Sequence, residues 1–415
     1  MCIVLLTTAH PSYALIVIDN RDEFILRPTS RPHWWTPDPA PGPSDHPHGP
    51  SHPPPPPQPQ VLSSRDLQRR ERGTWLGISR AGNFAVLTNY REAAGAPAGA
   101  AARSRGAMVT AWLAAPPAEA TGHFVERMLA GDGVGGVGGF SLICGKLRRR
   151  RRRRRSSRPR TETPAVDAAA AAAAAGPQQQ QQQEQKECDS IAPLAVLSNR
   201  ASHPSHVPWI AGSRGETLGL SNTRYDDDDG EPWRKIVDGK AAVERVVAAA
   251  VAAAAAGEDR TEAQLLEELF AVLDADTLPV AQGGESFEAC TQLLKYSIFI
   301  PAIGDAEHRA AMAEAAGGGG AGPQGSEAAV PEELAHEERP DGQAEGPSGF
   351  ATGMYGTQRQ TVMLVDWDGN VTYVERALWD DRGRPVKRGQ GDVCFRFNIE
   401  GWEDGDDDAD VDVDG

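Results

Sequence analysis

The sequence of 415 residues has few cysteines and no long apolar run, and each shortage excludes a class of protein. Its five cysteines lie far apart, are odd in number and form no CxxC pair. This argues against a disulfide framework and a structural zinc site, and it is typical of a reducing compartment. No stretch reaches the roughly 18 apolar residues of a membrane-spanning helix. Because the start also lacks the basic region of a secretory signal, we expect an intracellular protein without a transmembrane segment.

Basic residues are too few to balance the acidic ones. The chain has 42 lysines and arginines against 58 aspartates and glutamates, which gives a formal net charge of −16. Proteins that bind nucleic acid need a basic face, so we expect no nucleic-acid partner. The run Arg148–Arg155 is typical of a nuclear or nucleic-acid signal, or of a solvated charge run inside an insertion. Acidic segments elsewhere in the chain would compete with nucleic acid for binding to these arginines, which favours the second interpretation.

Four low-complexity segments interrupt or follow what we predict to be a single domain, 1–402. Their compositions offer too little apolar surface to offset the entropy of ordering the chain, so we expect them to be disordered. Without them roughly 290 residues remain, a size that suits one large domain. The four segments are the insertions 37–59, 146–186 and 304–348 and the acidic tail 403–415.

Short β-rich runs with turn signals between them dominate the remaining sequence. Helices are fewer, and Thr261–Gln264 forms a capping box ahead of one of them. In the hairpin 74–89 we expect Ser79 to face Phe84, which places Trp75 in the core. Hairpins with helices clustered between them favour an antiparallel α+β fold. The predicted strands are Cys2–Thr8, Tyr13–Asn20, Thr74–Ser79, Phe84–Asn89, Phe140–Cys144, Leu194–Leu197, Leu293–Ile300, Gln360–Asp366, Val371–Arg376 and Val393–Ile399, and the predicted helices are Ala107–Ala114, Thr121–Ala130, Pro232–Ala256 and Leu265–Leu273.

The start of the chain carries the strongest chemical signal. Met1 precedes Cys2, whose side chain is small enough for removal of the initiator methionine. Cys2 would then carry a thiol and a free α-amine that titrates near pH 8, so the amine can act as a base for the thiol. Pairing across the first hairpin places Cys2 opposite Asp19, or opposite Arg21 if the register shifts by two residues. The alternative is an ordinary small apolar residue at the start of a strand.

A polar block at 20–23 ends the second strand close to Cys2. Three charges are unusual in a core hairpin, so we predict that Arg21 lowers the pKa of the thiol and that Asp22 positions the α-amine. The alternative is a strand-end turn with a solvated ion pair. Asn89 and Asn222 end two further strands. Their amides can donate to an oxyanion, although asparagine is also a routine turn residue.

The sequence predicts neither a cofactor nor a metal site. The stretch Gly133–Gly138 satisfies GxGxxG, but a strand rather than a helix follows it, which argues against dinucleotide binding. Three histidines lie in the predicted insertion 37–59. His203 and His206 are close in sequence but have no partner pair, so we interpret them as surface histidines.

Six segments, in order along the chain, carry a resemblance to a known family. They are Met1-Cys2-Ile3; Asn20-Arg21-Asp22-Glu23, with Phe24 and Arg27-Pro28 after it; Gly73-Thr74-Trp75-Leu76-Gly77-Ile78; Leu87-Thr88-Asn89-Tyr90; Gly219-Leu220-Ser221-Asn222; and Pro232-Trp233-Arg234-Lys235. Together they resemble the transport and Golgi organisation protein 2 family, also called the NRDE family after the second segment. The later block Tyr355-Gly356-Thr357 fits too, and Gln358 follows it where an arginine is expected in relatives.

The resemblance implies a fold similar to that of N-terminal-nucleophile hydrolases. This is an αββα sandwich, with two antiparallel sheets between helix layers, and it agrees with the predicted hairpins. Cysteine members of that superfamily, such as bile-salt and penicillin V acylases, use an N-terminal cysteine exposed by processing, with arginine, aspartate and asparagine nearby. Their arginine and aspartate are more widely spaced than the adjacent pair here. The residues that look similar in type and order are Cys2, Arg21, Asp22, Asn89 and Asn222.

Three functions remain open. The resemblance implies a role in Golgi organisation and protein secretion, with a haem or acyl-lipid ligand, and this role needs a pocket but no nucleophile. The second function is a cysteine amidohydrolase or thioesterase that uses Cys2. The third is a scaffold that acts through its low-complexity insertions. We expect a cytoplasmic location, with Golgi-associated and mitochondrial locations as alternatives, and the sequence identifies no protein partner.

Overall fold

The structure is a computed structural model of the chain, and it describes most residues outside the predicted insertions. The acidic tail beyond residue 403, most of the three insertions and half of the GxGxxG stretch lie outside the described residues, so the predictions for them stay predictions. The described residues are 2–37, 58–89, 104–131, 134, 137–151, 189–223, 225, 232–258, 260–279, 287–317 and 353–403.

One antiparallel sheet has six strands. They are β1 (Ile3–Thr7), β2 (Tyr13–Phe24), β12 (Thr217–Leu220), β13 (Tyr355–Asp366), β14 (Asn370–Ala377) and β15 (Asp392–Asn398). Their order across the sheet is β12-β1-β2-β13-β14-β15. The amino-terminal hairpin therefore lies inside the sheet, with a strand from the end of the domain beside it.

A second antiparallel sheet has seven strands. They are β3 (His33–Trp35), β4 (Val61–Ser63), β5 (Leu76–Ser79), β6 (Asn83–Asn89), β7 (Phe140–Lys146), β10 (Leu194–Ser198) and β11 (Trp209–Ile210). Their order is β11-β10-β7-β6-β5-β4-β3. A separate ribbon pairs β8 (Arg149–Arg151) with β9 (Asp189–Ile191).

Six α-helices lie in the described part of the chain. They are α1 (Arg105–Leu113), α2 (Thr121–Ala130), α3 (Arg234–Ala255), α4 (Glu262–Leu273), α5 (Phe287–Leu293) and α6 (Ala306–Gly317). The capping box predicted for α4 is present, with Thr261 and Gln264 each bonding the other's backbone. The combination of antiparallel sheets with helices confirms the predicted α+β class.

Three apolar clusters show how the elements pack. Alternate residues of a strand point to opposite sides of its sheet. Val17 of β2 accordingly shares one cluster with Val86 of β6, which joins the two sheets. Its neighbour Ile18 shares a second cluster with Leu269 of α4. The third cluster joins Trp112 of α1 to the outer side of the seven-stranded sheet.

The register of β1 against β2 decides what lies beside the start of the chain. Ile3 pairs with Asn20, so extending the ladder by one residue places Cys2 opposite Arg21 rather than Asp19. Of the two registers that the sequence left open, the shifted one is confirmed. The polar block at the end of β2 therefore lies next to Cys2.

The register predicted for the β5–β6 hairpin is wrong by one residue. Ile78, and not Ser79, pairs with Phe84. All four residues of β5 are buried, so its apolar pattern does not distinguish one register from the next. The prediction that Trp75 belongs to the core is confirmed, since it is 9% exposed and lies in the cluster between the sheets.

Two boundaries and one strand also differ from the prediction. The stretch Leu293–Ile300 is not a strand, because Ser297 hydrogen-bonds nearby carbonyl groups and the chain turns there. Residues 146–151 are not part of an unstructured insertion, because they finish β7 and form β8. The segment 306–317, at the start of another predicted insertion, is helix α6.

Within the described residues, none of the helices has both the length and the apolar character needed to cross a membrane.

Candidate functional site

A cavity of about 310 Å³ lies beside Cys2. Its walls come from the end of β2, the connection between β4 and β5, the end of β6 and the first turn of α1. Both sheets therefore contribute to it. The lining residues are Cys2, Arg21, Asp22, Glu23, Arg27, Asp66, Arg69, Gly73, Thr74, Trp75, Leu87, Asn89, Ser104, Arg105, Gly106 and Gly138.

One wall depends on a close approach of two backbones. A Cβ at Gly73 would lie 2.6 Å from the backbone carbon of Gly106 in α1. The backbone N–H of Thr74 donates to the Gly106 oxygen at 3.4 Å. Only glycine at 73 allows this approach without moving the helix. The local sequence therefore sets how near α1 lies to the cavity.

Cys2 is 7% exposed, and the hydroxyl of Ser221 donates to its carbonyl oxygen at 2.7 Å. Burial raises the pKa of the Cys2 thiol to about 11. A hydrogen bond from the backbone N–H of Asp22 acts in the opposite direction but does not offset burial. The prediction that Arg21 lowers the thiol pKa below its usual value is therefore wrong for this state of the site. Desolvation outweighs the neighbouring charges.

Asp22 joins the end of β2 to β13. Its Oδ1 accepts a hydrogen bond from the hydroxyl of Thr357 at 2.7 Å, and its backbone oxygen accepts one from the hydroxyl of Tyr355 at 2.8 Å. Burial raises the pKa of Asp22 to about 6, although the terminal amine of the chain and Lys235 both favour the carboxylate. Asp22 is thus an anchored acid that titrates near neutral pH.

Arg21 contacts three different kinds of group. Its guanidinium donates to the side-chain oxygen of Gln358, lies 4.0 Å from the carboxylate of Glu23 and stacks 4.2 Å from the ring of Trp75. Burial lowers its pKa. The residue that follows Thr357 therefore supplies an acceptor for Arg21 rather than a second cation.

The two asparagines are connected to each other and to the start of the chain. Asn222 donates from its side-chain amide to the backbone oxygen of Asn89. Ser221 lies 3.3 Å from the Asn222 side-chain oxygen and also bonds Cys2. Asn89 lines the cavity together with Cys2, Arg21 and Asp22. Asn222 is not among the lining residues, so the structure places it behind this wall.

Sequence reasoning missed Lys235 as a site residue. Its side chain is 1% exposed, and its Nζ has no hydrogen-bond partner among the described residues. Burial lowers its pKa, while the charges of Asp22 and Cys2 act in the opposite direction. The sequence feature that could have identified Lys235 is its place in the first turn of a predicted helix, where the helix dipole disfavours positive charge.

The cavity lining is rich in charge. Four guanidinium groups and three carboxyl groups line it, which leaves a small excess of positive charge. Arg27 is ion-paired with Glu23 at 3.1 Å and with Asp66 at 2.6 Å. Within the described part of the chain, Arg105 donates a long hydrogen bond, 3.4 Å, to the Gly139 oxygen. A ligand with a carbonyl or an anionic group therefore finds donors here.

A metal or haem finds little support in the described part of the molecule. No group of three or more His, Cys, Asp or Glu side chains there is arranged to hold a metal ion. His203 and His206 lie with ring centroids 6.0 Å apart in a short 3-10 turn. None of the described lining residues is a histidine or methionine, and Cys2 is a neutral thiol. These residues do not fit the usual axial ligands of haem iron.

Comparison with known proteins gives one match over most of the chain. The sequence model of a family described as Transport and Golgi organisation 2 matches residues 1–380.

Several curated proteins match over shorter stretches. An uncharacterized protein of Saccharomyces cerevisiae is 33% identical over 96 residues, 22% of this chain and 24% of that protein. The Transport and Golgi organization protein 2 homolog of Homo sapiens is 34% identical over 103 residues, 25% of this chain and 29% of that protein. The Mus musculus homolog is 32% identical over 103 residues, with the same coverage. The matched stretches thus span only 24–29% of the length of these relatives.

Proposed function

The chain belongs to the Transport and Golgi organisation 2 family, and from this membership we propose that it acts in Golgi organisation and protein secretion by binding an acyl ligand in the Cys2 cavity. The proposal combines the names of the relatives with one observation, the charged cavity beside the start of the chain.

The chemistry of the cavity supports an acyl ligand. Trp75 and Leu87 give it an apolar wall, while Arg21 and Arg105 present guanidinium groups. Ligand sites usually combine apolar walls with a few such polar groups, over about 300–1,000 Å³. At about 310 Å³ this cavity suits the carbonyl and first carbons of an acyl group. It is a poor fit for haem, for the reasons of donor chemistry given above.

Gly138 allows the proposal to be tested without disturbing the core. Of the atoms that the structure describes, a Cβ there would meet the Arg105 guanidinium alone, at 3.8 Å. Gly138→Leu should therefore fill the cavity and weaken binding of a medium-chain acyl-coenzyme A at least about tenfold, about 1.4 kcal/mol, in calorimetric titration. Gly317→Leu is the matched control, because a Cβ at Gly317 would have no described atom within 4 Å.

A cellular arm connects binding to secretion. In cells without the endogenous protein, wild type and Gly317→Leu should restore secretion of a reporter, and Gly138→Leu should not. The proposal fails if wild type binds no acyl-coenzyme A, or if both leucine variants bind it as tightly as wild type. Haemin binding that survives Gly138→Leu would place a haem site elsewhere.

A second candidate function is a cysteine amidohydrolase or thioesterase with an N-terminal-nucleophile arrangement. Two observations favour it. One apolar cluster joins residues of the two sheets, and two further clusters join residues of each sheet to helices, which supports the sandwich proposed here. The Cys2 sulfur also accepts a hydrogen bond from the backbone of Asp22 and lies opposite Arg21, so the groups expected of a nucleophile site are adjacent.

This second function predicts a reactive, processed Cys2. Intact-protein mass measured before and after an activated ester should show loss of Met1 and a single acyl group on Cys2. Cys2→Ser should remove fast acylation, whereas Cys394→Ser, at an exposed position, should not. Retention of Met1, or faster acylation of Cys394 than of Cys2, would exclude hydrolysis by this route.

A further inference from the structure

The first turn of α1 forms one wall of the cavity beside Cys2. Ser104, Arg105 and Gly106 all line the cavity, and Arg105 is the first residue of this nine-residue helix. The first N–H groups of a helix have no partner within the helix and carry positive partial charge. The N–H groups of Arg105 and Gly106 make no hydrogen bond to any other part of the described chain. These two donors are therefore free to bind a ligand.

Ser104 is a second, independent feature that points to a ligand. It is 6% exposed and lies at the N-cap of α1, where a serine side chain usually accepts a hydrogen bond from the helix backbone. Here the side chain makes no such bond, and its hydroxyl has no hydrogen-bond partner among the described residues. A buried hydroxyl without a partner is unfavourable. Because Ser104 lines the cavity, a ligand there can supply the missing acceptor.

Arg105 adds a guanidinium group that the described carboxylates do not neutralise. It is half-buried, its hydrogen bond to the Gly139 oxygen is long at 3.4 Å, and no described carboxylate forms an ion pair with it. Glu23 and Asp66, which also line the cavity, are instead ion-paired with Arg27 at 3.1 Å and 2.6 Å. A guanidinium group in this state is suited to binding an anionic oxygen.

The fold holds these donors in place at the cavity. The backbone of Gly73 lies so close to α1 that a Cβ on it would be 2.6 Å from the backbone carbon of Gly106. The first turn of the helix is thus fixed against the connection between β4 and β5. A Cβ at Gly138, another lining residue, would lie 3.8 Å from the Arg105 guanidinium. The guanidinium therefore borders the space that a ligand would occupy.

We propose that the N-terminus of α1 binds the carboxylate of the ligand, through the Ser104 hydroxyl, the N–H groups of Arg105 and Gly106 and the Arg105 guanidinium. The proposal rests on the acyl-binding function proposed above and names the class of ligand, an ionised carboxylic acid with a medium-length apolar chain. The chain lies along the apolar wall formed by Trp75 and Leu87.

The charge and the size of the cavity both favour a carboxylate. Its two oxygens accept hydrogen bonds from hydroxyl, N–H and guanidinium donors. Its single negative charge offsets the excess of four guanidinium groups over three carboxyl groups in the lining. The phosphates of an acyl-coenzyme A are separated from its acyl group by a long arm. A cavity of about 310 Å³ cannot hold both ends of such a molecule.

Octanoate and octanamide test the proposal in the full-length protein, because they share one chain and differ in charge. In calorimetric titration at about pH 7.5, where a carboxylic acid is ionised, wild type should bind octanoate at least about tenfold more tightly than octanamide. Arg105→Gln should abolish this preference and leave octanamide binding unchanged. Arg234→Gln is the matched control and should keep the preference, because Arg234 is also in the first turn of a helix but is 68% exposed and paired with Asp238.

Ser104→Ala provides a second variant that removes one hydroxyl and no charge. It should weaken octanoate binding by about fivefold, the effect of one hydrogen bond to a neutral donor. Circular dichroism checks that each variant is folded. Equal binding of octanoate and octanamide by wild type overturns the proposal. A preference that survives in a folded Arg105→Gln protein, or wild-type octanoate binding by Ser104→Ala, overturns it as well.

A second pair of ligands separates a carboxylate from a phosphate. Octanoyl-coenzyme A and S-octanoyl-N-acetylcysteamine carry the same thioester, and the second has no phosphate. A loss in Arg105→Gln that is confined to octanoyl-coenzyme A would assign the donors to a phosphate and overturn the carboxylate proposal. Wild type that binds octanoyl-coenzyme A without preferring octanoate to octanamide would refute this subsite alone. Wild type that binds none of the four ligands would refute the acyl-binding function as well.

Discussion

Replacing Asp22 by asparagine should stabilise the folded protein at neutral pH, although it removes a charge from the candidate site. Burial raises the pKa of Asp22 from 3.8 to about 6. In the unfolded chain the carboxyl group regains its ordinary value, so the unfolded state loses the proton first as the pH rises. The stabilising contribution of the protonated group is therefore complete below about pH 4 and is lost as the pH rises through about 6.

The size of the effect follows from the difference between the two pKa values. At about 1.4 kcal/mol per pH unit, a rise from 3.8 to about 6 corresponds to about 3 kcal/mol at pH 7 and above. Asparagine keeps an oxygen that can accept the hydrogen bond from Thr357, which donates at 2.7 Å to Asp22. The asparagine side chain is neutral in both the folded and the unfolded state, so Asp22→Asn should recover much of this free energy.

Urea unfolding at about pH 4 and about pH 7.5, followed by circular dichroism, measures the prediction. The free energy of unfolding of Asp22→Asn should exceed that of wild type by up to about 3 kcal/mol at the higher pH and by little at the lower one. Asp381→Asn, at an exposed position, controls for the loss of a negative charge. An equal difference at both pH values, or a variant less stable at pH 7.5, would refute the reasoning.

Four further variants test the packing of the fold by thermal or urea unfolding. Trp75→Ala should cost roughly 3–5 kcal/mol, because the ring is 9% exposed; near-wild-type stability would contradict its core position. Deleting residues 156–185 should change the free energy of unfolding by about 1 kcal/mol. Deleting residues 148–185 should cost more, because it also removes Arg149, which forms an ion pair with Asp189 at 2.5 Å. Equal losses of stability in the two deletion variants would contradict this expectation. Gly73→Ala should destabilise by forcing α1 away from a Cβ only 2.6 Å from its backbone, and unchanged stability would argue against that contact.

The sequence determined the features that depend on neighbouring residues. The capping box at Thr261 and the helix Thr121–Ala130 were predicted correctly, because their hydrogen bonds and apolar spacing are local. The first hairpin followed from its turn signal, and pairing across it gave two alternatives for the partner of Cys2. The family resemblance came from short ordered blocks and is confirmed by the match over residues 1–380.

Where both sides of a strand are buried, the sequence could not determine the register. All four residues of β5 are buried, so the burial expected on each side of the strand does not distinguish one register from a register shifted by one residue. The stretch Leu293–Ile300 shows the opposite error. Its spaced apolar residues suit a strand, but side-chain hydrogen bonds of Ser297 hold the chain in a turn.

The tertiary structure alone decided the electrostatics of the candidate site. A pKa depends on desolvation and on charges brought together by folding, and Lys235 lies more than two hundred residues from Cys2 in sequence. The sequence indicated that Arg21 would be close to the thiol, and it is. It did not indicate that burial would outweigh that charge and raise the thiol pKa to about 11. The pairing of one hairpin was enough to predict that Cys2 and Arg21 are close. The effect of each charge on the thiol pKa depends on burial by the surrounding sheets and α3, which the sequence does not show.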